Sequence, residues 1–356
     1  MTTAYINRIA TAVPQHDMHA TFVAYARALL KDARNERIFD KMVEKSQIGR
    51  RWSVQEPTPG NKFTLIDGDH FLIDGDFPST AKRMKTYEKQ ALPLASAAVE
   101  NLGLARLAPE ITHIVITSCT GFSAPGLDLQ LIERFGFNPS VERTIVGFMG
   151  CYAAINGLKL AHHIVRSTPE AKVLLVSVEL CTLHFQDTAD LEQILMFLLF
   201  ADGCAAALIS AEPDGLGMTS FRAEVIPDTA NLMSWHIRDS GFDMMLSGDV
   251  PKSVFRALAA GADRILRGSG ASDIDMLAVH PGGRTVLDAV ETAFKLPGDA
   301  LKHSRNVLFE YGNMSSATVL FVLKRFLDER RRNARGCAMS FGPGLTAETM
   351  LFKTAE

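Results

Sequence analysis

The chain has 356 residues, 47% of them hydrophobic and 22% charged, enough to bury a large core and to form two domains or one duplicated one. Its 37 basic and 40 acidic residues leave a net charge of -3 and no general field for a polyanion, which makes nucleic acid a poor first partner. Five cysteines, at 119, 151, 181, 204 and 337, are scattered and never form a CxxC pair, which disfavours a disulfide framework or a zinc knuckle and points to free thiols in a reducing cytoplasm.

Taken in chain order, MTTAYINRIATAVPQHDMHA holds no basic segment followed by an unbroken apolar stretch, and no later segment has about 18 consecutive apolar residues. Neither a secretory leader nor a membrane span is expected. EITHIVIT at 110–117 has a counterpart in DIDMLAVH at 273–280: an acidic residue, an apolar β-rich run, then a Gly-containing turn and an amphipathic helix. RTIVGFMGCYAAINGLKLA at 143–161 matches RNVLFEYGNMSSATVLFVL at 305–323, each read as a β-rich run, a Gly, a polar residue and a helix opening with small residues.

The offsets agree, since Ile111 precedes Cys151 by 40 positions and Ile274 precedes Asn313 by 39. Cys151 and Asn313 are therefore expected at equivalent places in two copies. KVLLVSVE at 172–179 and GCAMSFGPG at 336–344 supply a further strand each. Alternating β and α patterns call for mostly parallel or mixed sheets covered by helices. Turn residues in SAEPDGLG at 210–217 place the seam, dividing the chain into halves 1–213 and 214–356.

Cys151 ends a β-rich run and opens a helical pattern with Ala154, Leu158, Ala161 and Val165 on one face. A helix N-terminus favours thiolate, the form that attacks a thioester, so alkylation well below the usual thiol pKa of ~8.5 is expected. A free cysteine is more often a small core residue, and Cys119, Cys181, Cys204 and Cys337 are read that way. His280 falls where a strand ends and PGG begins a turn, and Asn313 lies in YGNMSS. Singly, these read as a satisfied core histidine and a helix-capping amide. Together with Cys151 they suit decarboxylation of a malonyl thioester, whose enolate oxygen needs an imidazole N–H and an amide N–H. No Walker A run, Rossmann GxGxxG, HExxH or GxSxG is present. Adjacent His162 and His163 face different sides of a helix, and RFLDERRRNAR at 325–335 reads as a solvated helix end with a capacity for an anionic partner.

GFMGCYAAINGLKLA, HPGGRTVLDAVE, YGNMSSATVLFVL and SFGPGLTAETMLF resemble the type III polyketide synthases, the chalcone synthase-like branch of the thiolase superfamily. IATAVP, KSQIGRRW, TSCTGFSAPGLDLQL and LFADGCAAALI extend the likeness over essentially the whole chain, in the family's order. The resemblance implies a five-layered αβαβα thiolase-like α/β fold, a homodimer, acyl-CoA starter and malonyl-CoA as substrates, and no metal or prosthetic group. It implies that Cys151 is the nucleophile and that His280 and Asn313 bind the thioester carbonyl and the enolate. By the same likeness, Phe200 walls the CoA tunnel mouth, Ser315 adjoins the substrate, and Lys45 and Lys41 meet the CoA phosphates.

Departures from the plant pattern fall at Met244, in place of a second gating phenylalanine, and at His184 and Met196, which align with cavity-lining positions. Ala124 replaces a larger residue that reaches into the partner's cavity. These substitutions point away from chalcone and towards fatty acyl starters giving alkylpyrones or alkylresorcinols. The competing readings are a single-condensation ketoacyl-acyl carrier protein synthase and a catalytically silent dimer partner.

Overall fold

The computed structural model describes residues 2–355 apart from 59–61, 66–69, 73–76, 105–106, 267 and 269. Nine strands form the main sheet: β1 (Ala4–Ala12), β2 (His113–Ser118), β3 (Glu142–Gly147), β4 (Val173–Leu180), β5 (Asp202–Ser210), β6 (Leu216–Val225), β7 (Met276–Val279), β8 (Arg335–Gly342) and β9 (Thr346–Thr354). Their spatial order is β7-β8-β9-β6-β1-β5-β4-β2-β3. In the first half, β1 pairs antiparallel with β5, β5 antiparallel with β4, and β2 parallel with both β4 and β3. The second half repeats the plan: β6 antiparallel to β9, β9 antiparallel to β8, and β8 parallel to β7. Three residue pairs join the halves edge to edge, Ala4 with Met218, Tyr5 with Gly217 and Ile6 with Leu216.

Alternation along each strand divides the core between its two faces. On β4, Leu174, Val176, Val178 and Leu180 join one apolar cluster while Val173 and Leu175 join the other. On β5 the split is Cys204, Ala206 and Leu208 against Ala205, Ala207 and Ile209. This is the period-2 geometry of a strand covered on both sides. The inner cluster is filled by two helices, Ala153–Ser167 and Thr318–Asp328, each packed against strands of both halves. The second of these buries Val319, Leu320, Phe321, Val322, Leu323 and Phe326, apolar around most of its circumference, as a helix enclosed on all sides must be. Helices on the outer faces, among them Thr80–Asn101 and Arg284–Phe294, complete the five layers of the αβαβα fold.

The duplication differs from its expected form in two places. RNVLFEY is not a strand: Lys302–Tyr311 is a helix, with Ser304, Val307 and Leu308 buried at helical spacing. The helix phase also shifts the equivalence. Cys151 lies two residues before the helix Ala153–Ser167, whereas Asn313 lies five before Thr318–Asp328, so Ser316 is the positional counterpart of Cys151.

The helices that reach the site are α1 (Ala33–Ser46), α2 (Ala153–Ser167), α3 (Leu191–Phe197), α4 (Val250–Ile265), α5 (Arg284–Phe294), α6 (Lys302–Tyr311) and α7 (Thr318–Asp328).

Candidate active site

Cys151 occupies a 3-10 turn, Gly150–Tyr152, that leads directly into α2. Gly150 has φ +71°, and a Cβ there would come within 2.3 Å of Pro343 Cδ, so the turn needs glycine both for its left-handed backbone and for the close approach of the 342–344 loop. On the other copy, Gly312 at φ +72° releases the chain from α6 into Asn313. Asn313 then pairs with the segment after α3: its N–H donates to the Leu199 carbonyl at 2.8 Å, and its carbonyl accepts from Ala201 N–H at 2.9 Å. The two chain segments thus arrive at the site in fixed register.

Two backbone groups orient the Asn313 side chain. Its Oδ1 accepts from Ser315 N–H at 2.9 Å, and its Nδ2 donates to the Gly282 carbonyl at 3.3 Å. Gly282 belongs to the turn after His280 and donates its own N–H to the His280 carbonyl at 2.9 Å. Ser315, held at φ 46°, donates from Oγ to Cys151 Sγ at 3.7 Å. A non-glycine residue in this region costs about 1–3 kcal/mol and persists where its surroundings impose it. Cys151, Asn313 and His280 are 6%, 2% and 1% exposed, so the thiol, amide and imidazole are all withdrawn from bulk water.

Both nitrogens of His280 are buried without a hydrogen-bond partner among the described residues. Burial lowers its pKa to about 3, so the ring is neutral. An orphaned imidazole is costly unless a ligand completes it.

The expected activation of Cys151 is reversed for the isolated thiol. Burial pushes it up to about 12, and the nearby Glu179 adds to the rise, although hydrogen bonding from Ser315 and Asn313 pulls the other way. Desolvation in a dry cavity outweighs the helix N-terminus here, so forming the thiolate requires a proton acceptor at the site. The neutral imidazole of His280, whose nitrogens have no partner among the described residues, is the candidate acceptor. Alkylation of Cys151 by iodoacetamide is therefore expected to run faster in the wild type than in His280→Ala from about pH 6 to 9, the range between the ordinary imidazole and thiol values. Coincident rate profiles would remove His280 from this role.

Behind the thiol lies a second buried acid. Glu179 accepts from Cys119 N–H at 3.0 Å and from Thr120 Oγ1 at 2.8 Å, and burial raises its pKa to about 7 despite these bonds and that from Ser316. Cys119 Sγ lies 3.1 Å from Ser315 Oγ. Cys119 and Cys181 are buried, as read from sequence, but they also wall the cavity at Cys151, whereas Cys204 and Cys337 lie in the core.

Two cavities adjoin the site. The inner one, of about 20 Å3, is lined by Cys151, Phe197, Phe200, Trp235, Met244 and Ser315, among others. An outer groove of about 560 Å3 is lined by Lys45, Met196, Leu198, Leu199, Lys252 and Arg284, with Gly282 and Gly283 of the HPGG turn. Residues 196–200 therefore form the partition, turning Phe197 and Phe200 inward and Met196, Leu198 and Leu199 outward. The sequence reading missed Trp235, Lys252 and Arg284. Trp235 faces Met244 across the hairpin formed by Met233–Arg238 and Gly241–Leu246, and its Nε1 donates to the Cys119 carbonyl at 2.8 Å.

The remaining candidates fall elsewhere. His184 is fully buried and stands behind the inner cavity: Nε2 donates to the Thr120 carbonyl at 2.6 Å, Nδ1 accepts from Phe242 N–H at 3.1 Å, and the ring stacks on Phe242 at 4.1 Å. It lines neither of these cavities but packs behind Phe242 and Trp235, with both ring nitrogens committed to the backbone. Lys41 is exposed on α1, one turn before Lys45, and lines neither cavity. Ala124 is exposed in a loop whose Ala124–Pro125 peptide is cis, and it too lines neither.

Residues 3–213 match the family description "Chalcone and stilbene synthases, N-terminal domain", and residues 218–356 match the corresponding C-terminal domain. The chain belongs to the type III polyketide synthases. It is 31% identical over 368 residues to "Alpha-pyrone synthesis polyketide synthase-like Pks18" of Mycobacterium tuberculosis, covering 99% of this chain and 91% of that protein. It is 34% identical over 295 residues to 1,3,6,8-tetrahydroxynaphthalene synthase of Streptomyces coelicolor, covering 79% of this chain and 78% of that one. Among solved structures, PKS-I from the brown alga Ectocarpus siliculosus superposes with a TM-score of 0.90 at 28% identity, covering 99% of each chain. This synthase is thus an acyltransferase that condenses malonyl units iteratively. Among its described residues, no helix is long and apolar enough to cross a membrane.

Proposed function

We propose that Cys151 carries the growing chain and that His280 and Asn313 bind the reacting carbonyl. The carrying observation is the fully buried, unpartnered imidazole of His280, whose turn is hydrogen-bonded to the amide of Asn313, with the Cys151 thiol next to Ser315. The thiol of Cys151 attacks the acyl-CoA carbonyl as its proton passes to His280, and the imidazolium returns that proton to the departing CoA sulfur, leaving CoA as the free thiol and His280 neutral. Malonyl-CoA loses carbon dioxide, and the electron pair left behind becomes an enolate whose oxygen takes hydrogen bonds from the imidazole and the Asn313 amide. The enolate carbon attacks the thioester on Cys151, whose sulfur leaves as thiolate. The lengthened β-ketoacyl-CoA returns to Cys151 for the next round.

Lys45, Lys252 and Arg284 around the outer groove suit the phosphates of CoA, and the apolar wall formed by Phe197, Phe200, Trp235 and Met244 suits an alkyl starter. We read the starter as a fatty acyl-CoA and the product as an alkylpyrone or alkylresorcinol, and the alpha-pyrone in the name of the mycobacterial relative supports the pyrone. The functional unit is read as a homodimer, with Ala124 and the exposed Phe122 and Ile145 on the partner-facing side, in a reducing cytoplasm that suits five free buried thiols.

Incubation with hexanoyl-, dodecanoyl- or benzoyl-CoA and malonyl-CoA, followed by product mass analysis, tests this reading. Several added two-carbon units on the fatty starters are expected. A single added unit would identify a one-condensation enzyme, and turnover of benzoyl-CoA alone would sink the fatty-acyl assignment.

A further inference from the structure

The segment Gly49–Trp52 reaches both chain segments that meet at Asn313. Gly49 N–H and Arg50 N–H both donate to the Phe309 carbonyl at 2.9 Å, and Trp52 Nε1 donates to the Glu310 carbonyl at 3.0 Å. These are terminal carbonyls of α6, the helix that ends just before Asn313. Arg51 Nη1 donates to the carbonyls of Phe197 and Phe200, at 2.7 and 2.8 Å, at the end of α3. One four-residue stretch therefore caps two helix C-termini, where free carbonyls and the helix dipole favour donors and cations. Gly312 packs on the arginine stem: a Cβ there would come within 2.9 Å of Arg51 Cγ.

Arg51 is 1% exposed, and its side chain makes no carboxylate hydrogen bond among the described residues. Its Nε donates to His19 Nδ1 at 3.1 Å and its guanidinium lies over the Phe22 ring at 4.3 Å. Burial pulls the guanidinium pKa down to about 9, and the charges of Asp17 and Asp202, which bear on it without a side-chain hydrogen bond, offset only part of that cost. What the group does secure is the end of the partition 196–200, which turns Phe200 towards Cys151 and, with the following Ala201, hydrogen-bonds the Asn313 backbone through the Leu199 carbonyl and Ala201 N–H. A planar fork holds its donors to two carbonyls and an imidazole in fixed directions, whereas the three donors of an ammonium rotate on a flexible stem.

We propose that Arg51 is a positioning residue that sets Phe200 and Asn313 in register with each other, and through them the place of the enolate. This inference rests on the proposed role of Asn313 as a donor to the enolate oxygen. Because Cys151 sits on the Gly150–Tyr152 turn, to which Arg51 makes no hydrogen bond, whereas the Asn313 backbone is held through the segment Arg51 caps, loss of Arg51 should impair decarboxylation more than loading.

The test compares Arg51→Met, Arg51→Lys and Asn313→Ala in the full chain, reading the Cys151 acyl adduct by intact mass and malonyl-CoA decarboxylation without starter. In Arg51→Met the adduct is expected to form, while kcat for decarboxylation falls between about tenfold and a hundredfold, as for a misplaced reacting group. Arg51→Lys, which keeps the charge and the stem, should recover part of the loss. Wild-type decarboxylation in folded Arg51→Met overturns the proposal, as does an equal fall in adduct formation and decarboxylation. Should Arg51→Met fail to fold, Arg51→Lys decides, with a wild-type kcat overturning the proposal; failure of both to fold marks a purely structural residue and does the same. If Asn313→Ala decarboxylates normally, the underlying reading of Asn313 falls with it. If Asn313→Ala is inactive and the Arg51 variants are not, only the inference on Arg51 falls.

Discussion

Cys151→Ala is expected to abolish the covalent acyl adduct and to lower polyketide formation by about a thousandfold or more, the loss typical of removing a nucleophile from a preorganised site. The substitution removes one sulfur from a site in which Ser315 and Asn313 are held by backbone bonds, so the fold should survive it. Malonyl-CoA decarboxylation should persist at a measurable rate, because the imidazole and amide that would stabilise the enolate are still present. Intact-protein mass after incubation with an acyl-CoA reads the first effect, and acetyl-CoA release reads the second. An adduct of undiminished mass in the variant would move the nucleophile to another residue, with Cys119 first in line because its sulfur lies against the same serine.

The second large effect is expected at the pair that would hold the enolate oxygen. Removing one preorganised donor from such a site costs about a hundredfold to a thousandfold in rate, or about 2.7–4 kcal/mol. His280→Ala and Asn313→Ala should each lose that much decarboxylation. Asn313→Asp is the more telling variant. A carboxylate keeps the acceptor that receives Ser315 N–H but loses the N–H donors, and it adds negative charge where the enolate forms. It should therefore be at least as impaired as the alanine variant in decarboxylation. Decarboxylation by Asn313→Asp at the wild-type rate would show that the amide is not a donor to the enolate.

Much of this protein is legible without coordinates. Ile114, Val115 and Ile116, or Leu174 to Val178, announce buried strands because β-branched and apolar runs of that length have few other uses. Cys151, His280 and Asn313 stand out because each follows a strand-like or glycine-marked break, and a break is where a sheet presents side chains to a ligand. The stretch RNVLFEY misled for a physical reason. Seven residues of mixed apolar character fit either period, and only contact with the core selects the face bearing Ser304, Val307 and Leu308.

The site's electrostatics lay beyond the sequence. A cysteine at a helix start reads as an activated thiol, yet enclosure by Phe200, Trp235, Met244 and Pro343 removes the water that would solvate the anion, and desolvation dominates. Trp235 on a distant hairpin, Glu179 behind Cys119, and Arg51 between two helix ends carry no local signature at all. The order of residues along the chain determined the family, the duplicated plan and the candidates Cys151, His280 and Asn313, since side-chain identity and short-range periodicity are written there directly. Tertiary structure alone decided which groups lost their water and which carbonyls needed donors, because desolvation and hydrogen-bond satisfaction depend on neighbours more than a hundred positions away, as with Arg51 and the Phe197 carbonyl.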